Sequence, residues 1–253
     1  MLAKLAGMEI TGILLRGRLA IALIAAILIG AGDPPADKRA PDSSAAKPQP
    51  APAAKRTEIG KNIVLETQGD KRRVRVAAKV CFREGALELL MCRKNTKEHE
   101  SVLHADIDAR QLHLALLAAG AKAGSPVKYE PKYAPASGST IKITLEYQKE
   151  GKTVLVPGQD WVRDAKTRKA MPHSWVFAGS VFYPNQDDPK QPPLYAANGG
   201  DIICVSNFPD AMLDLPVNSP QDDAERLFEA FTENIPPLGT HVTMIFEPVA
   251  EKK

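Results

Sequence analysis

Hydrophobic and polar residues alternate with period two through several stretches of this chain. In "RRVRVAAKVCF", Val74, Val76, Ala78, Val80 and Phe82 fall on one face, and Arg75, Lys79 and Cys81 on the other. That is the pattern of a half-buried strand. Leu87, Leu89 and Met91 continue the apolar face beyond "REG". A two-residue loop at Glu84-Gly85 would pair Phe82 with Leu87 and Val80 with Leu89, so a hairpin is expected there. "TIKITLEYQ", "KEGK" and "TVLVP" predict a second hairpin over residues 140–157. The apolar runs "SWVFAGSVFY" and "DIICV" read as strands buried on both faces, and "HVTMIFEP" as a closing strand.

Two stretches carry helix signals. Asp108 with Gln111 makes a capping-box-like start, and Gly120 a stop, for "ARQLHLALLAAG". In the second, Ser219 is the cap and Pro220 the first helical residue, with Ala224, Leu227, Phe228 and Phe231 at helical spacing. Strands outnumber helices and do not alternate regularly with them. The expected fold is α+β: a mostly antiparallel or mixed β-sheet with about two α-helices packed on it, in a single domain.

The first sixty residues change the picture. Lys4, Arg16 and Arg18 precede an apolar run of fourteen residues, "LAIALIAAILIGAG" (Leu19–Gly32). As a helix it rises about 21 Å, short of the ~30 Å hydrocarbon core. Residues 1–32 read as a signal peptide, with an uncleaved N-terminal anchor as the alternative. Residues 33–58, rich in Pro, Ala and Lys, read as a disordered linker. Residues 59–249 form the domain and 250–253 a tail. The protein is expected to be exported to the periplasm or cell envelope, meeting membrane only through the N-terminal segment if that is retained. The leader carries Lys4, Arg16, Arg18 and Glu9, so without it the net charge falls from +3 to near +1. With the signs interspersed, nucleic acid is not an expected partner.

Candidate chemistry concentrates in "CRKNTKEHESVLHADIDARQLH" (Cys92–His113), which holds three of the five histidines. "HESVLH" is not the zinc motif H-E-x-x-H. His99 and His104 diverge by about 140° on a helix and point to opposite faces of a strand. A looser site could form from Cys92, His99 and Glu100 in a loop, around a single metal ion. Cys81 shares a sheet face with Cys92, but the hairpin register leaves them about 13 Å apart. A disulfide needs Cα atoms within about 7 Å. Pairing of Cys204 with Cys81 or Cys92 is left open. Ser101 acting with a remote histidine is carried as a third reading. The loop from Tyr183 to Asp201 includes Asp187, Asp188 and Asp201 but fits no calcium-loop spacing. Of the two tryptophans, Trp161 is the better candidate for an exposed binding aromatic.

"KVCFREGALELLMC", "KEHES", "HLALLAAGAKAGSPV", "DWV", "WVFAGS", "GDIICVSNF" and "PPLGTHV" follow in that order. Together they resemble the YdjY-like domain found in exported proteins of planctomycete-type bacteria, over roughly Gly60 to Pro248. The resemblance implies no established reaction. The ferredoxin-like label that some relatives carry would imply an iron–sulfur cluster, which typically takes four cysteines at close spacing. This chain has three, none within ten residues of another. No cofactor is expected beyond the single metal ion with Cys92 and His99 as ligands. The candidate site is His99, Glu100, Ser101, Cys81 and Cys92, with no residue assigned to catalysis. The expected function is a non-catalytic binding or structural module of the envelope, meeting a protein, polymer or small ligand. The alternative is a metal- or thiol-redox protein centred on Cys92, His99 and Glu100.

Overall fold

A computed structural model of the chain describes residues 53–186, 188–221 and 227–250. The leader and most of the linker lie outside the described residues. The main sheet has eleven strands: β1 (Lys55–Gly60), β2 (Ile63–Gln68), β3 (Lys71–Val80), β4 (Leu89–Arg93), β5 (Ser101–Ala105), β6 (Thr140–Lys149), β7 (Lys152–Pro157), β8 (Trp175–Phe177), β9 (Ile203–Cys204), β10 (Leu213–Asp214) and β11 (His241–Pro248). β1 begins at Lys55, within the stretch read as the end of the linker. One α-helix is present among the described residues, α1 (Ala109–Ala118), between β5 and β6.

Eight strands close on themselves in the order β3-β11-β6-β8-β10-β9-β4-β5, with β5 pairing back to β3. The fold is therefore mostly β, an eight-stranded barrel with one helix, and not an α+β sheet carrying two. The long strands close because their apolar positions come into rows. Val76 lies opposite Met244, and Met244 opposite Leu145; Val74, Phe246 and Ile143 form the next row. All six are buried. Side chains fill the interior, as eight strands allow.

The second hairpin forms as its pattern suggested. Lys149 pairs with Lys152, and Glu150 and Gly151 both take positive φ (52° and 74°). That is the conformation of a type I′ two-residue turn. The first hairpin does not form. β5 pairs antiparallel with β3 on one side and parallel with β4 on the other, so it separates the two segments expected to pair. The "REGAL" stretch instead pairs across to Phe228–Ala230, through Leu87 N–H to Phe228 O (3.1 Å) and Ala230 N–H to Gly85 O (2.9 Å).

The second helix is also overturned at its C-terminal end. Phe228–Ala230 is a strand paired antiparallel with Val162–Asp164. Buried Phe228 and Ala230 alternate with half-exposed Glu229, so period two prevails over the helical spacing there. Ser219 and Pro220 are not helical, and residues 222–226 lie outside the described residues. The first helix stands, capped by Asp108, whose carboxylate accepts from Arg110 N–H.

Outside the barrel, Arg56, Glu66 and Arg73 form a row across β1, β2 and β3. Arg56 Nε donates to Glu66 Oε2 at 2.8 Å and Arg73 Nε to Oε1 at 2.5 Å. Burial alone would raise this carboxyl, but the two guanidiniums hold it below its ordinary value. A depressed folded-state pKa adds stability above the unfolded value, near 4.5, which is lost as pH falls through the folded value. Glu66→Gln is predicted to cost about 1–3 kcal/mol at pH 7, with a smaller deficit at pH 3. Urea denaturation at both pH values measures the difference.

Candidate functional site

β4 and β5 run parallel, so the chain must return from the end of one to the start of the other. Residues 94–100 make this return, far shorter than the dozen or more such a crossover usually takes. Asn95 turns the chain at φ 63°, and the Thr96 hydroxyl donates to Arg93 O at 2.5 Å. The segment ends in a 3-10 turn, Glu98–Glu100. Glu98 accepts from the Asn95 amide and meets His104 Nδ1 at 3.2 Å. These contacts outweigh burial and hold its carboxyl below the usual range. Lys97 Nζ lies 2.8 Å from Asp201 Oδ1, 4.0 Å from Glu100 Oε1 and 4.3 Å from the centre of the Phe208 ring. Burial pushes the Asp201 carboxyl up despite this ammonium.

The same crossover brings two thiols together. Just past β3, the amides of Cys81 and Phe82 both donate to Val102 O, at 2.9 and 3.4 Å. This is a bulge, which re-aims the side chain it carries. Cys81 Sγ donates to Ser101 O at 3.0 Å, and the Cys92 thiol is its electrostatic neighbour. Cys81, helped by Ser101 and the Lys97 amide, pulls the Cys92 thiol down against its burial. Cys92 pushes Cys81 up, together with burial and the Glu98 charge. The expected separation of about 13 Å rested on strand spacing within a hairpin; with β5 inserted, the two thiols become electrostatic neighbours. All three cysteines are free thiols. Cys204 joins Leu89, Cys92 and Ala211 in a small apolar cluster, and burial raises its thiol well above the ordinary value.

The other candidate residues are dispersed. His99 is 76% exposed, with Glu100 Oε2 at 3.7 Å from its ring, whereas Cys92 is fully buried. Ser101 is buried and its hydroxyl donates to Leu103 O at 2.8 Å. Among the described residues, no three His, Cys, Asp or Glu side chains are placed to hold one metal ion. Trp161 is fully buried, edge-on to Tyr147 at 5.5 Å, which overturns its reading as an exposed aromatic. His113 is half-buried and hydrogen-bonded to Tyr195 OH at 2.8 Å.

Two features escaped the sequence. The ribbon of Phe182–Tyr183 paired with Leu194–Tyr195 borders an open cleft of about 580 Å³. Its wall combines Tyr183, Pro192, Pro193 and Leu194 with Arg110 and Asn198. The second feature is Asp214, which is fully buried in β10. Its Oδ1 accepts from Asn207 Nδ2 at 3.0 Å and Leu215 N–H at 2.7 Å, while Oδ2 has no partner. Burial raises this carboxyl to about 7. The signal was an aspartate between buried leucines in "MLDLP".

These elements bear on the chain's relationships. The family model of the YdjY domain matches residues 65–247, most of the barrel. The chain belongs to the YdjY domain family. No curated protein and no solved structure matches it. The matched span of the YdjY domain takes in both thiols, the crossover, the cleft and Asp214.

In the folded YdjY domain, Asp214 keeps its proton up to about pH 7, whereas the unfolded chain loses it near 3.8. A raised folded-state pKa gives stability that is complete below the unfolded value and is lost as pH rises through the folded one. Asp214→Asn, isosteric with the protonated acid, should flatten the decline between pH 4 and 7 and melt above wild type at pH 8. Parallel curves for the two proteins across that range would remove Asp214 as the cause.

Proposed function

We propose that the YdjY domain of this protein is a non-catalytic binding module of the cell envelope, and that its ligand sits in the cleft beside the Phe182–Tyr183 ribbon. The observation that supports this reading is the exposure of large apolar side chains at that cleft. Tyr183 and Leu194 on its wall are each about half exposed or more, whereas Trp175, Phe177 and Phe246 on the barrel strands are fully buried. Exposed apolar groups gathered beside hydrogen-bonding groups mark a place where a ligand is bound.

The local charges indicate the kind of ligand. Arg110 is already bound to Asp108, its Nη2 at 3.1 Å from Oδ2, and Asp210 accepts from Tyr183 OH at 2.7 Å. The Arg110 charge is therefore already matched and is not free to take a phosphate or polyanion. Tyrosine, leucine and paired prolines suit an extended, uncharged peptide, in the way aromatic-lined grooves take polyproline segments. The leader and the basic-and-proline linker fit a domain exported and tethered at the envelope.

The test is a titration of the protein with an uncharged proline-rich peptide, followed by amide chemical shifts. Shifts confined to residues 182–199 and the start of α1 are expected. Tyr183→Ala and Leu194→Ala, at exposed positions, should each weaken binding by about 1–2 kcal/mol while leaving the melting temperature within a few degrees. Shifts elsewhere, or none, would refute this ligand class.

A further inference from the structure

The outward-facing basic residues of β3 do not all find carboxylates. Arg73 pairs with Glu66, and Arg75 Nη2 lies 2.7 Å from Glu146 Oε1. Lys79, further along the same face, has no carboxylate at ion-pair distance among the described residues. Its cross-strand neighbours are instead imidazoles: His241 of β11 on one side and His104 of β5 on the other. Directly opposed side chains stand on one face of a sheet with Cβ atoms about 4.5–5.5 Å apart. Three basic side chains therefore form a row across three strands.

This row borders a hollow of about 280 Å³ on the outside of the barrel, which Lys94 also lines. The hollow exists because β3 changes partners there. β2 pairs with β3 no further than Val76, and β5 joins at Lys79. Between them the outward side chain is only the methyl of Ala77, which leaves the floor low. Asn62, at φ 62°, walls the β2 side and donates through Nδ2 to Asp106 O at 3.1 Å. Lys94 follows β4, and its amide donates to Ala105 O at 2.9 Å.

The nearby carboxylates are already taken. Asp106 is the one carboxylate among the lining residues, and Lys61 Nζ holds it at 2.6 Å. Glu98 is engaged by the Asn95 amide and by His104 Nδ1, which orients that ring. Lys79 and Lys94 remain, both exposed and neither paired with a carboxylate among the described residues. Like charges gathered on one sheet face cost stability, and an anion seated among them offsets that cost. We propose that this hollow binds a phosphate-class oxyanion, the free ion or a phosphate monoester, between the ammonium groups of Lys79 and Lys94. A doubly charged tetrahedral ion matches two ammonium groups and turns its oxygens toward donors arriving from several strands. The imidazoles of His104 and His241 flank it. The hollow shares no lining residue with the peptide cleft, so either proposal can fail without the other.

The test is a titration of the full chain at fixed ionic strength with inorganic phosphate, and separately with glycerol phosphate, followed by amide chemical shifts. Shifts gathered at Ala77–Lys79, Lys94, His104 and His241, saturating at roughly millimolar concentration, are expected. Binding to the folded state should also raise the melting temperature. Lys79→Gln and Lys94→Gln should each weaken binding by about tenfold, and the double variant should lose the rise in melting temperature. Lys152→Gln, at the exposed hairpin turn, should change neither. Lys79→Gln removes an exposed, unpaired charge, so without phosphate it should melt no lower than wild type, and circular dichroism checks its fold. Tighter binding of glycerol phosphate than of the free ion would identify a monoester as the ligand, and the reverse order the free ion. Shifts that sodium chloride reproduces at equal ionic strength, shifts centred on another surface, or binding that survives in the double variant would overturn the proposal.

Discussion

The pairing of Ser101–Ala105 with both of its neighbours holds the rest of the molecule in place. On one side it meets β3 antiparallel, with Lys79 opposite His104 and Val80 opposite Leu103. On the other it meets β4 parallel, from Leu89–Ser101 to Arg93–Ala105. Without it, β4 and the end of β3 beyond its pairing with β2 would present unpaired edges, and the eight strands would be an open sheet. Closure abolishes those edges and lets the rows around Val76, Met244 and Leu145 fill a common interior. Because the two partners run in opposite directions, closure also demands the short return through residues 94–100. The strained turn at Asn95, the Lys97–Asp201 pair and the juxtaposed thiols all follow from that return.

This constraint explains why the surface, and not the lumen, carries the features open to chemistry. The interior is packed with aliphatic and aromatic side chains. Polar groups collect where strands end and loops cross: the crossover over β4 and β5, the loop from Val205 to Leu213, and the ribbon beside α1. The buried carboxylate of Asp214 is tied to the loop from Val205 to Leu213 through Asn207, whose backbone carbonyl also accepts from Tyr129 OH at 3.1 Å. Such a network fixes loop positions at the expense of leaving one oxygen, Oδ2, without a partner.

Much of the long-strand structure was legible in the sequence because period-two alternation directly reports a face. β3, β6, β7 and β11 emerged in that way, and so did α1 with its Asp108 cap. Partner choice was not legible. The run from Leu87 to Met91 has the right faces to pair with β3, and nothing local distinguishes that hairpin from insertion of a third strand encoded a dozen residues later. The Cys81–Cys92 proximity was lost with it, since the register was the premise of the distance. Phe228 and Phe231 fit a helical spacing as well as an alternation, and tertiary pairing with Val162–Asp164 decided between them. Of the site residues, Cys81 bonds to the Ser101 carbonyl and has the Cys92 thiol as its electrostatic neighbour, while His99 faces solvent. The cleft was hidden because Tyr183, Pro192 and Leu194 become neighbours only through pairing of two short strands.

The measurement that most directly tests this account is a scalar coupling across hydrogen bonds, read by NMR in the isotope-labelled protein. The inserted strand predicts a coupling from the Cys81 amide nitrogen to the Val102 carbonyl carbon, and from Glu88 nitrogen to the Glu100 carbonyl carbon. Both bonds are short here, at 2.9 and 3.1 Å. Couplings between residues 80–82 and 87–89 instead would restore the hairpin, reopen the barrel and separate the two thiols.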